Sequence, residues 1–142
     1  MEAGLIVRQL KEQGAHLQVI GGDPLVTDQF WSITGPAGEG VLMSFLADPR
    51  KWPAAKTVVE ALRKSGFEPE GYTLNSYAAV QVVAEGLRRA GKADPAKIAA
   101  ALHAAPVDTI MGKLTFDAKG DIAGSYYVMY RWHDGKYMKV DE

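Results

Sequence analysis

Cysteine is absent from this 142-residue sequence. That removes disulfides and thiolate metal sites, and it is compatible with either redox compartment. An excess of one charge is missing too, since 16 Lys and Arg stand against 17 Asp and Glu, for a net charge of −1. Such a balance gives no bulk pull toward nucleic acid or an anionic membrane. Trp31, Trp52 and Trp132 lie far apart and form no interleaved basic-aromatic pattern, so no nucleic-acid partner is expected. No apolar run is long enough to span a bilayer, so no membrane insertion is expected. Glu2 and a helical pattern follow Met1 directly, and no signal peptide is visible.

Chemistry-bearing motifs are equally scarce. His16, His103 and His133 pair with no other ligand at metal spacing, and H-E-x-x-H does not occur. No serine sits in a G-x-S-x-G elbow, so a hydrolase triad has no anchor. The glycine-rich stretch 35–40 precedes a strand pattern and lacks a Lys-Ser/Thr ending, which reads as a turn and not a phosphate loop. Asp117, Lys119 and Asp121 lack the ligand count of an EF-hand and read as a solvated hairpin turn. The reading is therefore of a protein with no metal, no cofactor and no enzymatic activity.

What is present is an α/β rhythm. The longest helical pattern is 72–90, where Gln81, Glu85, Arg88 and Arg89 form one narrow polar stripe and apolar residues cover nearly everything else. So thin a wet stripe predicts a helix buried on several sides. Thr73 and Asn75 are its cap candidates, and Gly91 its stop. Before it come a helix at 2–13, a short buried strand at 17–20, a helix at 25–33 and a strand at 41–46. A helix at 53–64 with Pro53 at its start completes that half. After it, Asp94-Pro95 opens an Ala-rich helix. Strands are then expected at 109–116, 125–133 and 137–140, with turns at 117–121 and 133–136.

Two residues stand out as site candidates. Asp23 follows the 17–20 strand through Gly21-Gly22, and ligands of α/β sheets sit at the C-terminal ends of strands. It reads either as a helix cap or as a carboxylate poised for an ammonium group. Tyr72 opens the long helix, either as a core aromatic or as a cleft wall with a polar tip.

The stretches GGDPLVTDQFWSITGPAGEGVLMSF, EGYTLNSYAAVQVVAEGLRRAG and VDTIMGKLTFDAKGDIAGSYYVMYRWHDGKY resemble the C-terminal part of the periplasmic leucine/isoleucine/valine-binding protein family. These are the solute receptors of branched-chain amino acid ABC transporters, and the resemblance runs over essentially the whole chain. It implies an α/β chain that is the C-terminal fragment of a two-lobed, type I periplasmic-binding fold with β-hairpins at its C-terminus. Residues 1–43 would end the second lobe, 44–125 would belong to the first, and 126–142 would cross back. The implied function is capture of an amino acid, branched-chain or related, by hinge closure. The implied location is the periplasm, with a signal peptide in the part before Met1, and the implied partner is an ABC transporter permease. By the same resemblance Asp23 takes the ligand's α-ammonium, where the leucine-type receptors have Glu, and Tyr72 contacts the ligand side chain. Groups for the ligand carboxylate would precede Met1, so the 142 residues alone are expected to bind no free amino acid and to expose apolar faces of the 72–90 helix. The alternative is a cytoplasmic amide- or amino-acid-sensing regulatory domain on the same fold. An enzyme with Asp23 as general base ranks last, because no acid or nucleophile partner is identifiable.

Overall fold

A computed structural model describes residues 2–124 and 127–140. The chain divides into two compact units, one from Met1–Ala47 with Tyr126–Glu142 and the other Asp48–Ser125.

The first unit is a four-stranded sheet under two helices. Its elements are α1 (Glu2–Glu12), β1 (Ile20–Gly21), α2 (Asp28–Thr34), β2 (Leu42–Leu46), β5 (Tyr127–His133) and β6 (Lys136–Lys139). The strand order is β1-β2-β5-β6, parallel between β1 and β2 and antiparallel elsewhere. Alternation in β2 and β5 turns Met43, Phe45, Tyr130 and Trp132 inward, where Val7, Leu25, Val26 and Phe30 meet them. Asp134 and Gly135 both adopt positive φ, 47° and 78°, as a two-residue hairpin between right-twisted strands requires.

The expected buried strand at 17–20 is corrected in two ways. The strand is only two residues long and shifted toward the glycines, and Leu17 and Ile20 are exposed. Among the described residues β1 pairs on one flank only, with β2, and Leu17 and Ile20 lack the cover that neighbours of a central strand supply, while Val19 packs against the core. The start of the predicted 125–133 strand lies outside the described residues, and β5 is seen from Tyr127.

The second unit is helical with a small hairpin: α3 (Lys56–Lys64), α4 (Thr73–Ala90), α5 (Pro95–Ala104), β3 (Val107–Thr109) and β4 (Gly112–Leu114). Ala55, Val59, Leu74, Ala78 and Ile110 form its core. Asp94 caps α5 by accepting from the Lys97 amide at 3.2 Å. The predicted strand at 109–116 is in fact a hairpin. The Thr109 hydroxyl accepts from the Met111 amide and donates to the Gly112 carbonyl, and Gly112 takes φ 84°, reversing the chain at Ile110 and Met111.

Of the stripe on α4, Arg88 faces water as expected, its side chain 71% exposed, but Gln81, Glu85 and Arg89 do not. The Gln81 carbonyl oxygen accepts from the Ile110 amide at 2.8 Å. Arg89 pairs with Glu85 and donates to the carbonyls of Ala105 and Pro106 at 2.8 and 2.7 Å. The stripe thus seats α5 and the hairpin. Leu74 and Ala78 enter the core from the same side, whereas a second apolar face is exposed, with Val80 at 69% and Val83 at 60% accessibility, so α4 is not buried on several sides and exposes apolar surface as expected of the 142 residues alone. Neither cap candidate caps. Thr73 donates to the Glu70 carbonyl, and among the described residues the buried Asn75 amide group has no hydrogen-bond partner.

Gly86 is where α4 meets α5. A Cβ there would lie 2.9 Å from Ile98 Cγ2 and 3.0 Å from Leu102 Cγ. Alanine improves helix propensity by about 1 kcal/mol, but overpacking costs about 1–3 kcal/mol. Gly86→Ala is therefore expected to lower stability, read as a drop in thermal midpoint. A raised midpoint would show that α5 yields without cost.

A second prediction concerns the hairpin tip. Glu39 accepts from the Asp134 amide at 3.0 Å and pairs with His133 Nδ1 at 2.7 Å. The Glu39 hydrogen bond, then its charge, raises the His133 pKa above 6.5. The Asp134 amide first, and His133 second, lower Glu39 below 4.5. The histidine contribution is full below 6.5 and is lost as pH rises through the raised value. The glutamate contribution is present above 4.5 and is lost as pH falls through the lowered value. In an NMR titration Glu39→Gln should lower the His133 midpoint, and an unmoved midpoint would exclude the pair in solution.

Candidate functional site

Asp23 sits two residues beyond β1 and opens a short 3-10 turn, Asp23–Leu25, with Gly22 at its N-cap. The residue is half-buried, and its backbone carbonyl accepts from the Val26 amide at 3.1 Å. Pro24 suits this position because its fixed φ matches the turn and its missing N–H is not needed there. Leu25 and Val26 then plunge into the core.

The turn is fastened from the far end of the chain. The indole N–H of Trp132 donates to the Leu25 carbonyl at 3.0 Å, a bond spanning 107 residues. Trp132 is fully buried, stacked on Trp31 at 5.6 Å and edge-on to Tyr137 at 5.3 Å. Gly21 is equally constrained, since a Cβ would fall 2.4 Å from Leu25 Cδ1. The glycine is thus a packing requirement that lets the turn fold back onto the strand end. The sequence reading missed Trp132 as a support of the Asp23 turn. The Gly-Gly-Asp-Pro pattern pointed to a turn, but no local pattern links it to a residue on β5.

Tyr72 belongs to the second unit, at the N-cap of α4, and is half-exposed. Its carbonyl accepts from the Ser76 amide at 2.8 Å, so the helix begins on it. The Glu70 carbonyl immediately before it takes both the amide and the hydroxyl of Thr73. Asp23 and Tyr72 thus lie one in each unit, each at the start of a helical turn.

Neither borders either of two concavities seen among the described residues. A cavity of about 210 Å³ in the first unit, bounded by Lys11, His16, Gln18 and Glu39, lies at the opposite end of β1 and β2 from Asp23. A shallow depression of about 480 Å³ in the second unit runs along α4 past Tyr77 and Val80. Among the described residues no group of three or more acidic or histidine side chains could hold a metal. Among the same residues no helix is long and apolar enough to cross a membrane.

Comparison with known proteins gives these elements a setting. The sequence model described as periplasmic binding protein matches residues 2–136. Leu/Ile/Val-binding protein homolog 1 of Brucella suis is 46% identical over 145 residues, covering 99% of this chain and 39% of that protein. An amino acid binding protein of Pseudomonas aeruginosa is 50% identical, covering 98% of this chain and 38% of its own. The crystal structure of a leucine binding protein, LivK, from Thermotoga maritima superposes with a TM-score of 0.82 at 29% identity, over 97% of this chain and 40% of that one. A Desulfitobacterium hafniense ABC transporter substrate-binding protein in complex with Leu gives 0.71 at 27%, over 97% and 40%. This chain therefore spans about 40% of the length of the proteins it resembles.

The Trp132–Leu25 bond yields a direct test. Trp132→Phe keeps an aromatic ring but leaves the Leu25 carbonyl without its donor, which costs about 1–3 kcal/mol. Urea unfolding followed by circular dichroism should show the midpoint falling with an unchanged slope. A change below about 0.5 kcal/mol, the range of ordinary surface substitutions, would mean that the indole N–H does not support the turn.

Proposed function

We infer a function from one premise: the chain belongs to the periplasmic binding protein family. In our reading it supplies the C-terminal part of a two-lobed receptor that captures a free amino acid of the branched-chain class for an ABC importer in the periplasm. The observation that carries this reading is the 46% identity across 99% of the chain to a Leu/Ile/Val-binding protein homolog. The division after Ala47, with the last strands returning to the first unit, supports one lobe built from 1–47 and 126–142 and the other from 48–125, a boundary four residues later than the one implied by the resemblance, because β2 stays whole in the first unit.

Capture needs no bond to be made or broken, and Asp23 acts as a fixed negative charge. Its carboxylate accepts hydrogen bonds from the ligand's α-ammonium, a charge-assisted contact that is short and directional. Asp in place of Glu shortens the reach by one methylene, which shifts the ammonium toward the Asp23–Leu25 turn. Tyr72 offers an apolar ring face to the ligand side chain while its hydroxyl stays at the wet edge. A ligand touching both lobes stabilises the closed state by its differential contacts, and this drives hinge closure. The permease of the importer is the partner that reads the closed form. The signal peptide belongs to the full-length receptor.

The test is calorimetric titration of leucine, isoleucine and valine into a receptor of the relatives' full length that carries these residues. Asp23→Asn keeps the shape and removes the charge, and it should weaken binding by about 1.5–3 kcal/mol. Unchanged affinity would remove Asp23 from the site.

A further inference from the structure

Asp48 is the first residue of the second unit, where the chain leaves the first. Its carboxylate is gripped by Arg50 through four hydrogen bonds. The Arg50 backbone amide donates at 3.0 Å, Nε at 2.9 and 3.1 Å, and Nη2 at 2.9 Å. The remaining arm of the same guanidinium, Nη1, donates to Glu68 at 3.1 Å. Arg63, at the end of α3, closes the far side of Glu68 with bonds of 2.7 and 2.8 Å. These hydrogen bonds, Arg63 first, hold the Glu68 carboxyl down at about 2. Arg50 and Asp48 are only 22% and 19% exposed at the side chain.

Isolated surface ion pairs contribute little. Three features set this group apart: a planar bidentate fork, a shared guanidinium, and anchor points whose backbone is already stiff. Pro49 lies beside Asp48, Pro69 follows Glu68, and both are buried. Between α3 and α4 the chain runs through a connection with left-handed glycines at both ends, Gly66 at φ 85° and Gly71 at φ 52°. Backbone bonds hold its ends, from Phe67 to the Leu62 carbonyl and from Thr73 to the Glu70 carbonyl. Glu68 anchors its middle, and Tyr72 is the next residue after Gly71.

We propose that Arg50 is a positioning residue for the ligand site. Through Asp48 and Glu68 it ties the 67–71 connection, and Tyr72 behind it, to the first residues of the second unit. Losing the fork weakens amino-acid capture although Arg50 does not touch the amino acid. Lysine cannot replace it, because one ammonium cannot grip Asp48 bidentately and reach Glu68 as well. The inference rests on the ligand role given above to Tyr72, so its test has an arm without ligand.

In that arm, amide hydrogen exchange compares the 142-residue chain with Arg50→Leu and Arg50→Lys. We expect exchange across 67–73 to rise about tenfold in Arg50→Leu and nearly as much in Arg50→Lys, while the β5–β6 amides stay unchanged. Faster exchange confined to 48–52 would overturn the coupling. In the second arm leucine is titrated into the full-length receptor. Arg50→Leu should weaken binding about tenfold in the wild-type background and have little further effect in Tyr72→Ala. An equal loss in both backgrounds would overturn action through Tyr72. Unchanged affinity in Tyr72→Ala alone would remove Tyr72 from the site and overturn the ligand-positioning role, and the exchange arm would still decide the coupling.

Discussion

The indole of Trp132 is the contact on which the first unit closes. It is buried on all sides, its ring meets Phe30, Trp31 and Tyr137, and its N–H reaches the carbonyl of Leu25. A buried indole N–H without an acceptor is costly, and so is a buried carbonyl without a donor, so each group specifies the other's position. The Leu25 carbonyl ends the turn that Asp23 begins, so the backbone of that turn is held by a residue 107 positions away. Joining two stretches so distant costs little more entropy than joining nearer ones, because closure entropy grows only logarithmically with loop length.

The second unit follows a different logic. Its long helix meets its neighbours with Leu74 and Ala78 in the first half and with polar side chains further on: Gln81 receives the Ile110 amide, and Arg89 gathers the carbonyls at the end of α5. These are backbone groups that no helix or strand ladder would otherwise satisfy, and long polar side chains can reach them where aliphatic ones cannot. Gly86 then lets α5 approach closely enough for Ile98 and Leu102 to lie against the α4 backbone. With the polar stripe used internally, the aliphatic face carrying Val80 and Val83 is left at the surface.

In the receptor proposed above, these two constructions would carry complementary duties. The proposed ammonium contact would fall to a half-buried residue on a turn held by a buried indole. The proposed side-chain contact would fall to an aromatic at a helix start, reached through a glycine-flanked connection. The Asp48–Arg50–Glu68–Arg63 group joins that connection to the point where the chain enters the unit.

Much of this was legible from residue order alone. The extents of α1, α4 and α5, the Asp94 cap, the Gly91 stop, the Asp134-Gly135 turn and the family itself follow from periodicity, capping chemistry and motif resemblance. All of these depend on interactions within a few residues or on patterns kept in order along the chain. The tertiary structure alone decided which faces of α4 meet water and that, among the described residues, the 17–20 segment lies at an edge with Leu17 and Ile20 exposed. It also decided that the 109–116 run doubles back at Gly112, and that Trp132 and Arg50 stand behind the candidate site residues. Periodicity tells which side chains share a face but not what that face meets. A strand's burial depends on its lateral partners and a polar stripe's hydration on what docks there, and both are set by chain segments far away in sequence.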